Sequence, residues 1–313
     1  MLEEFGLKQI TLDLPFRLNH VNCFLMEGEH GWKIIDVGLH NKETIERWNK
    51  ELKGKEVTDI IITHYHPDHF GYAGALQQKT GATLWMSKTD ADAGVTAWEE
   101  EYLNKLTTNY ALAGIPPQVA NEMFKNTDSF ISKVSPYPSV SQYLNEGEFI
   151  QIGKYEYEII FTPGHSDGLV SFYNKEKNIL LSTDHILPKI TPNISYWFHG
   201  DPNPLKTYLE SLDKIKKLDA DYVIPSHGNA FRGANDRIEE IKSHHYERLD
   251  KTLEIINQRK TIYEACQQLF PKIKNVHESR FAIGETIAHL EYLRCQSECE
   301  HELKEGVYWY VAS

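Results

Sequence analysis

The chain opens on short apolar runs, QITLDLPF, VNCFLMEG and GWKIIDVG, and glycines after the second and third mark turns. This pattern predicts a meander of strands before residue 40. NKETIERWNKELKG then reads as a polar helix ending at Gly54, VTDIIITH as a buried strand, GYAGALQQKTG as a short helix and ATLWMS as another strand. From residue 88 to about 145 the character changes. TDADAGVTAWEEEYLNKLTTNYALAG and PPQVANEMFKNTDSFISKV carry helical spacing and SPYPSVSQY is loop-like, which predicts a helical insertion between strands. Strand patterns resume with GEFIQIG, YEYEIIFT, LVSFYN, NILLSTD and DYVIPSHG, and NKEKN forms the hairpin turn between the third and fourth of these. From about residue 235 the chain is helical through NDRIEEIKSHHYERLDKTLEIINQ, TIYEACQQLF and GETIAHLEYLRCQSECE, then closes on the strand-like GVYWYVAS. The β-rich stretches before residue 90 and after 146 look like two half-units of strand and helix.

A chain of 313 residues buries a large core, enough for one large domain or two smaller ones. Its hydrophobic content of 41% and charged content of 25% are those of a globular protein in water. The formal net charge of −12 argues against broad attraction to nucleic acid or anionic lipid. No run approaches a membrane span, and MLEEFGLKQITLDLPF lacks the basic start and apolar core of a secretory signal. Four cysteines make no disulfide framework in a chain of this length, and Cys295 and Cys299 read as two reduced thiols on the flank of one helix. A cytoplasmic protein is expected.

The chemistry concentrates after VTDIIITH. His64, His66, Asp68 and His69 lie within six residues where a strand gives way to a turn. Residues two apart in an extended run point the same way, so His64 and His66 can share one ion. Asp68 and His69, placed by the turn after Pro67, can serve a neighbouring ion. Clustering so many titratable groups brings no packing gain, whereas imidazole with carboxylate suits zinc, iron, manganese or cobalt. Three further candidates each follow a strand: His165 in FTPGHS, Asp184 in LLSTDH and His227 in IPSHG. His185, beside Asp184, points elsewhere if the strand continues and reads as a packing residue.

These residues give the chain a clear likeness. THYHPDH resembles the H-x-H-x-D-H motif of the metallo-β-lactamase superfamily, and His165, Asp184 and His227 stand in that family's order. The resemblance covers about residues 10–230. It implies an α/β (α+β) fold, a four-layer αββα sandwich with the site at one edge of two sheets. It also implies that His64, His66 and His165 hold one metal and that Asp68, His69 and His227 hold a second. Asp184 would bridge the two, and Asp36, in IIDVG, would support the ligands from behind. The cofactor so implied is two divalent ions per chain, zinc first, with iron or manganese as alternatives. Such a pair lowers the pKa of a shared water toward ~7 and polarises a carbonyl or phosphoryl oxygen, with Asp68 and Asp184 as the catalytic carboxylates. One position departs from relatives, Thr183, where many carry glycine; His66 stands where flavodiiron-type members have glutamate, which argues against an iron oxidase or NO-reductase.

The expected organisation is a metallo-β-lactamase domain over 1–234, with a helical cap at about 88–145. A small helical extension over 235–313 resembles the winged-helix-like tail of one subgroup. Some members of that subgroup act on single-stranded RNA, but residues 235–313 carry 11 Lys and Arg against 14 Asp and Glu, where a nucleic-acid reader is normally basic. A packing role, or a homodimer contact, is the expectation for this tail. The segment HILPKITPNISYWFHGD reads as a loop over the site, from which Tyr196 and His199 could contact substrate. Likeness to glyoxalase II-like and lactonase-like members points to hydrolysis of an ester, thioester or lactone in a small metabolite. A metal-dependent single-stranded RNA endonuclease is the first alternative, and a non-catalytic metal-binding regulator the second.

Overall fold

The computed structural model describes residues 2–273 and 275–313. After a short 3-10 turn at Leu2–Phe5, the first half contains β1 (Lys8–Asp13), β2 (His20–Glu27), β3 (Trp32–Ile35), α1 (Lys42–Glu51), β4 (Val57–Ile61), α2 (Pro67–Phe70), α3 (Ala73–Thr80) and β5 (Thr83–Ser87). Four helices follow, α4 (Lys88–Thr96), α5 (Glu100–Leu112), α6 (Pro117–Asp128) and α7 (Ile131–Val134), before β6 (Gln142–Leu144). The second half runs β7 (Phe149–Ile152), β8 (Tyr155–Phe161), β9 (Val170–Asn174), β10 (Ile179–Thr183), α8 (Pro204–Lys216), β11 (Tyr222–Pro225) and β12 (Phe231–Arg232). The chain ends with α9 (Ala234–Ile256), β13 (Lys260–Thr261), α10 (Ile262–Leu269), α11 (Val276–Cys295), β14 (Cys299–Lys304) and β15 (Val307–Ala312).

Two six-stranded sheets, ordered β1-β2-β3-β4-β5-β6 and β12-β11-β10-β9-β8-β7, correspond to the two half-units of the sequence. Strand alternation divides their side chains among three cores. On β2, Phe24 and Met26 face the layer between the sheets, while Val21, Cys23 and Leu25 face the helices outside. On β10, Ile179 and Leu181 point between the sheets, and Leu180 points to the opposite outer layer. The result is the expected αββα sandwich. The two sheets are tied together at one edge. Val170 N–H donates to the Thr63 carbonyl at 3.0 Å, and Asn22 N–H donates to the Ser226 carbonyl at 2.7 Å.

The helical insertion lies between β5 and β6, as the spacing predicts. Two other elements differ from the pattern reading. The run after Asp201 forms α8, which carries the signals of a helix: Asn203 caps it by accepting the Lys206 N–H, Pro204 occupies the first turn, and Leu205, Tyr208, Leu209, Leu212 and Ile215 make its buried stripe. At the C-terminus α11 stops at Cys295, and Cys299 and Glu300 leave the predicted helix to open β14. Glu305 and Gly306 both adopt positive φ (53° and 78°) and close a two-residue hairpin into β15. Cys295 is therefore exposed at a helix end while Cys299 is buried on a strand, so the two thiols do not share a helix flank.

The order α9-β13-α10-α11-β14-β15, with a sheet ordered β13-β15-β14, is winged-helix-like. Its apolar faces are covered within the same chain. Ile238, Ile241, Leu249, Ile262, Ile283 and Ile287 share one core with Leu205 and Leu209 of α8 and with Tyr102, Leu106 and Met123 of the insertion. At about 1.5–3 kcal/mol per large apolar side chain, baring even five of these costs on the order of 10 kcal/mol, as much as a whole domain's stability. A chain cut after Gly233 is therefore expected to aggregate on expression. A soluble, monodisperse 1–233 fragment in size-exclusion chromatography would contradict this.

Candidate metal centre

All seven expected ligands converge at the edge where the sheets are tied. Each follows the carboxyl end of a strand: His64 to His69 after β4, His165 after β8, Asp184 after β10 and His227 after β11. Pro67 opens the short α2, whose turn brings Asp68 and His69 back toward His64. Asp184 Oδ2 is the hub. It lies 3.2 Å from His227 Nε2, 3.3 Å from His165 Nε2, 3.5 Å from His69 Nε2 and 4.0 Å from His64 Nε2. Asp68 Oδ2 stands 3.7 Å from His69 Nε2 and 3.5 Å from His227 Nε2, and His66 Nδ1 faces His165 Nε2 at 2.9 Å.

The donor set fits metal ions. Nε2 of His64, His66, His69 and His227 and Oδ1 of Asp184 are buried without a hydrogen-bond partner, a cost that protein interiors rarely carry unless another ligand satisfies the groups. Three groups bring their ligand atoms within 4.8 Å of one another: His64, His66 and His165; His64, His69 and Asp184; and Asp68, His69 and His227. The arrangement fits a dinuclear site. Burial holds His64 and His66 well below the ordinary imidazole range, in the neutral form that can donate a lone pair. Burial also opposes charge on His69 and Asp184, but their mutual attraction and the other acids and histidines override it. His69 is raised well above its usual value and Asp184 is held well below.

Three of the rings are held from behind. His69 Nδ1–H donates to Asp36 Oδ2 at 2.8 Å, and Asp36 also accepts the Thr63 N–H and hydroxyl at 2.9 Å each. His165 Nδ1–H donates to the Asn193 carbonyl at 2.8 Å and His227 Nδ1–H to the His20 carbonyl at 2.6 Å. These bonds set the tautomer and turn Nε2 toward the cluster. Asp36 has a φ of 56°, which aspartate tolerates, and Thr183 has a φ of 49°, which a β-branched residue adopts only under strain. Position 183 thus has the backbone for which glycine is suited, and Thr183 holds it with a hydroxyl bond to the Val170 carbonyl.

Asp90 carried no sequence signal, yet it joins the two ligand loops. Fully buried, it accepts the Tyr65 N–H from the first motif and the Ser166 hydroxyl and Gly168 N–H beyond His165. Burial pushes its pKa up to about 6 against these bonds. A Cβ on Gly168 would lie 2.4 Å from Ser87 Oγ and 2.6 Å from Asp90 Oδ1, so only glycine permits the approach. His185 is fully buried, edge-on to Tyr208 at 5.3 Å, and takes no place in the cluster.

A cavity of about 1460 Å³ opens over the cluster and is lined by His66, Asp68, His165 and Asp184. The insertion forms one wall with Trp98, Tyr102 and Tyr110, and the C-terminal extension forms another with His277, Arg280 and Phe281. Phe124, on the same insertion, faces elsewhere. Tyr196 and His199 both line the cavity. Tyr196 packs against Phe198, and His199 stands edge-on to Tyr102 at 4.7 Å with its Nδ1 buried and unpartnered. Trp197 lies nearer the cluster, its ring 5.7 Å from that of His66 and its Nε1–H unpartnered. Glu99, Glu100 and Glu101 are exposed and stand outside the cavity.

Fold and site together define a metal-binding hydrolase of the αββα type. The family model described as the metallo-beta-lactamase superfamily matches residues 17–227, and the chain belongs to that superfamily. A second model, the metallo-beta-lactamase-like C-terminal domain, matches residues 249–313. The crystal structure of a metallo-beta-lactamase family protein from Thermus thermophilus is similar over 98% of this chain and 99% of that one, with 30% identity and a TM-score of 0.86. A probable metallo-hydrolase of Bacillus subtilis is 23% identical over 92% of both chains. A hydroxyacylglutathione hydrolase of Haemophilus influenzae is 25% identical over 55% of this chain and 69% of its own length.

Because Asp36 orients His69 and buttresses Thr63, Asp36→Asn, which suits the same backbone but turns one acceptor into a donor, should weaken metal affinity about 10- to 100-fold. Competition with a chromogenic chelator measures this, and unchanged affinity would show that the carboxylate does not support the ligand.

Proposed function

We propose that the chain uses two divalent ions to hydrolyse an ester, thioester or lactone bond of a small metabolite. The observation that carries this reading is the position of Asp184 Oδ2, between 3.2 and 4.0 Å from imidazole nitrogens of both ligand groups. His64, His66 and His165 would hold one ion and Asp68, His69 and His227 the other, with Asp184 reaching both. Zinc suits this nitrogen-rich set first, with iron and manganese as alternatives. Ions bound there supply an acidified water and a Lewis acid for the scissile oxygen. Asp68 is the ligand carboxylate most open to the cavity, with 19% of its side chain accessible. It would orient the attacking water and pass a proton from that water to the leaving group.

The enclosure supports an acyl substrate. Trp98, Tyr102 and Trp197 give the cavity apolar walls that suit a compact, partly hydrophobic group. The hydroxyacylglutathione hydrolase relative is named for a thioester substrate, which agrees with this class. A charge of −12 and the exposed Glu99–Glu101 run oppose a long polyanion. Among the described residues no helix is long and apolar enough to cross a membrane, and the four cysteines are free, which supports a cytoplasmic location.

Metal-loaded protein screened in parallel against thioesters, lactones, phosphodiesters and RNA is expected to turn over a thioester or lactone, with RNA cleavage weak or absent at physiological salt. Efficient cleavage of single-stranded RNA, lost in Asp68→Ala, would overturn the reading in favour of a nuclease.

A further inference from the structure

The cavity differs in charge from the chain around it. Six Lys and Arg line it against five Asp and Glu, and two of those five, Asp68 and Asp184, belong to the metal cluster. Of the four arginines that line it, Arg17 is exposed and two are already engaged. Arg237 donates to Glu240 and to the Leu187 and Ile190 carbonyls, while Arg248 donates to the Leu269 carbonyl and lies over Phe270 at 4.6 Å.

Arg280 is different. Half-buried, it lines the cavity from α11, where its guanidinium meets the Tyr110 phenol, has Tyr102 and Tyr65 nearby, and lies 5.8 Å from the Phe130 ring and 6.0 Å from the Phe281 ring. Its Nη1 donates to Asn126 Oδ1 at a long 3.3 Å. Among the described residues no carboxylate forms an ion pair with it. An arginine cannot shed its proton, so an enclosed guanidinium without a counter-charge is costly to maintain. The tyrosines and Asn126 solvate it only in part, leaving donors that face the cavity. The metal cluster is close by, since Tyr65 stands between His64 and His66 and the Arg280 charge is felt at His66.

We propose that Arg280 is the anion-binding residue of the substrate pocket: it pairs with a carboxylate or phosphate carried by the substrate at a distance from the bond that is cleaved. The planar fork matches either group with two parallel hydrogen bonds, which fixes the orientation of the molecule as well as holding it. The aromatic wall takes the substrate's apolar body, and Arg280 holds its far end while the scissile group lies at Asp68 and Asp184. This assigns the C-terminal extension a part in substrate choice: of the described cavity arginines on α9 and α11, Arg280 alone has neither a carboxylate nor a backbone carbonyl as partner. A single anion suits the interior even though the acidic surface repels a long polyanion. The proposal rests on the hydrolase reading for its substrate, but not for the binding event itself.

Three aryl acetates separate the cases: neutral para-tolyl acetate, para-acetoxybenzoate and para-acetoxyphenyl phosphate, assayed with metal-loaded wild type, Arg280→Lys and Arg280→Gln. The expected result is that kcat/KM for one of the two anionic esters, relative to the neutral ester, falls about tenfold or more in Arg280→Gln and by less in Arg280→Lys, carried mainly by KM. The anion that responds identifies carboxylate or phosphate as the natural group. Equal ratios in all three proteins would overturn the proposal. Calorimetric binding of benzoate and phenyl phosphate covers the other failures. If no ester is turned over, the hydrolase reading fails, while anion binding that weakens in Arg280→Lys still supports the proposal. If Arg280→Gln does not fold, Arg280→Lys decides it, and binding equal to wild type in that variant overturns it.

Discussion

The structure depends on gathering unpaired imidazole nitrogens around one buried carboxylate. Nε2 of His64, His69 and His227 and Oδ1 of Asp184 are buried without protein partners, an arrangement that a folded chain alone does not favour. It persists because the opposite nitrogen of His69, His165 and His227 is bonded to a fixed acceptor: Asp36, the Asn193 carbonyl and the His20 carbonyl. With the rings unable to turn away, the lone pairs face one another and divalent cations are the partners that satisfy them. Metal binding is in this sense a completion of the fold.

The rest of the architecture supplies those fixed acceptors. His227 is held by the carbonyl of His20 at the start of β2, so its orientation depends on the tie between the two sheets. His165 depends on the loop at Asn193, and that loop leans on the C-terminal extension. Asn193 Nδ2 donates to Glu285 of α11, the Tyr196 N–H donates to the Gly284 carbonyl, and a Cβ on Gly284 would lie 2.6 Å from Ser195 Oγ. The extension therefore seals the cavity and steadies a ligand of the cluster. Its slightly acidic composition suits this inward role.

The candidate ligands were the most legible feature of the sequence because their spacing is local chemistry. H-x-H-x-D-H follows a strand end, and the remaining three ligands each follow another. The strands were legible from their short apolar runs, and the insertion from its helical spacing. Contacts made between distant segments were not. Asp90 reads as one acid in TDAD, and only the fold brings Tyr65, Ser166 and Gly168 around it. Arg280 looks like an ordinary charge near a helix start until its phenolic surroundings are known. Two misses were of a different kind. The signals for α8 were present in Asn203, Pro204 and its apolar stripe, and the end of α11 was obscured because CQSECE has no glycine or proline to mark the break.

The proposed chemistry requires a pair of ions joined by Asp184. Elemental analysis of protein reconstituted with zinc and freed of loosely held metal tests this most directly. About two ions per chain are expected in wild type, with both weakened together in Asp184→Ala if one carboxylate serves both. A wild-type protein that saturates at one ion, or an Asp184→Ala variant that retains both, would contradict it.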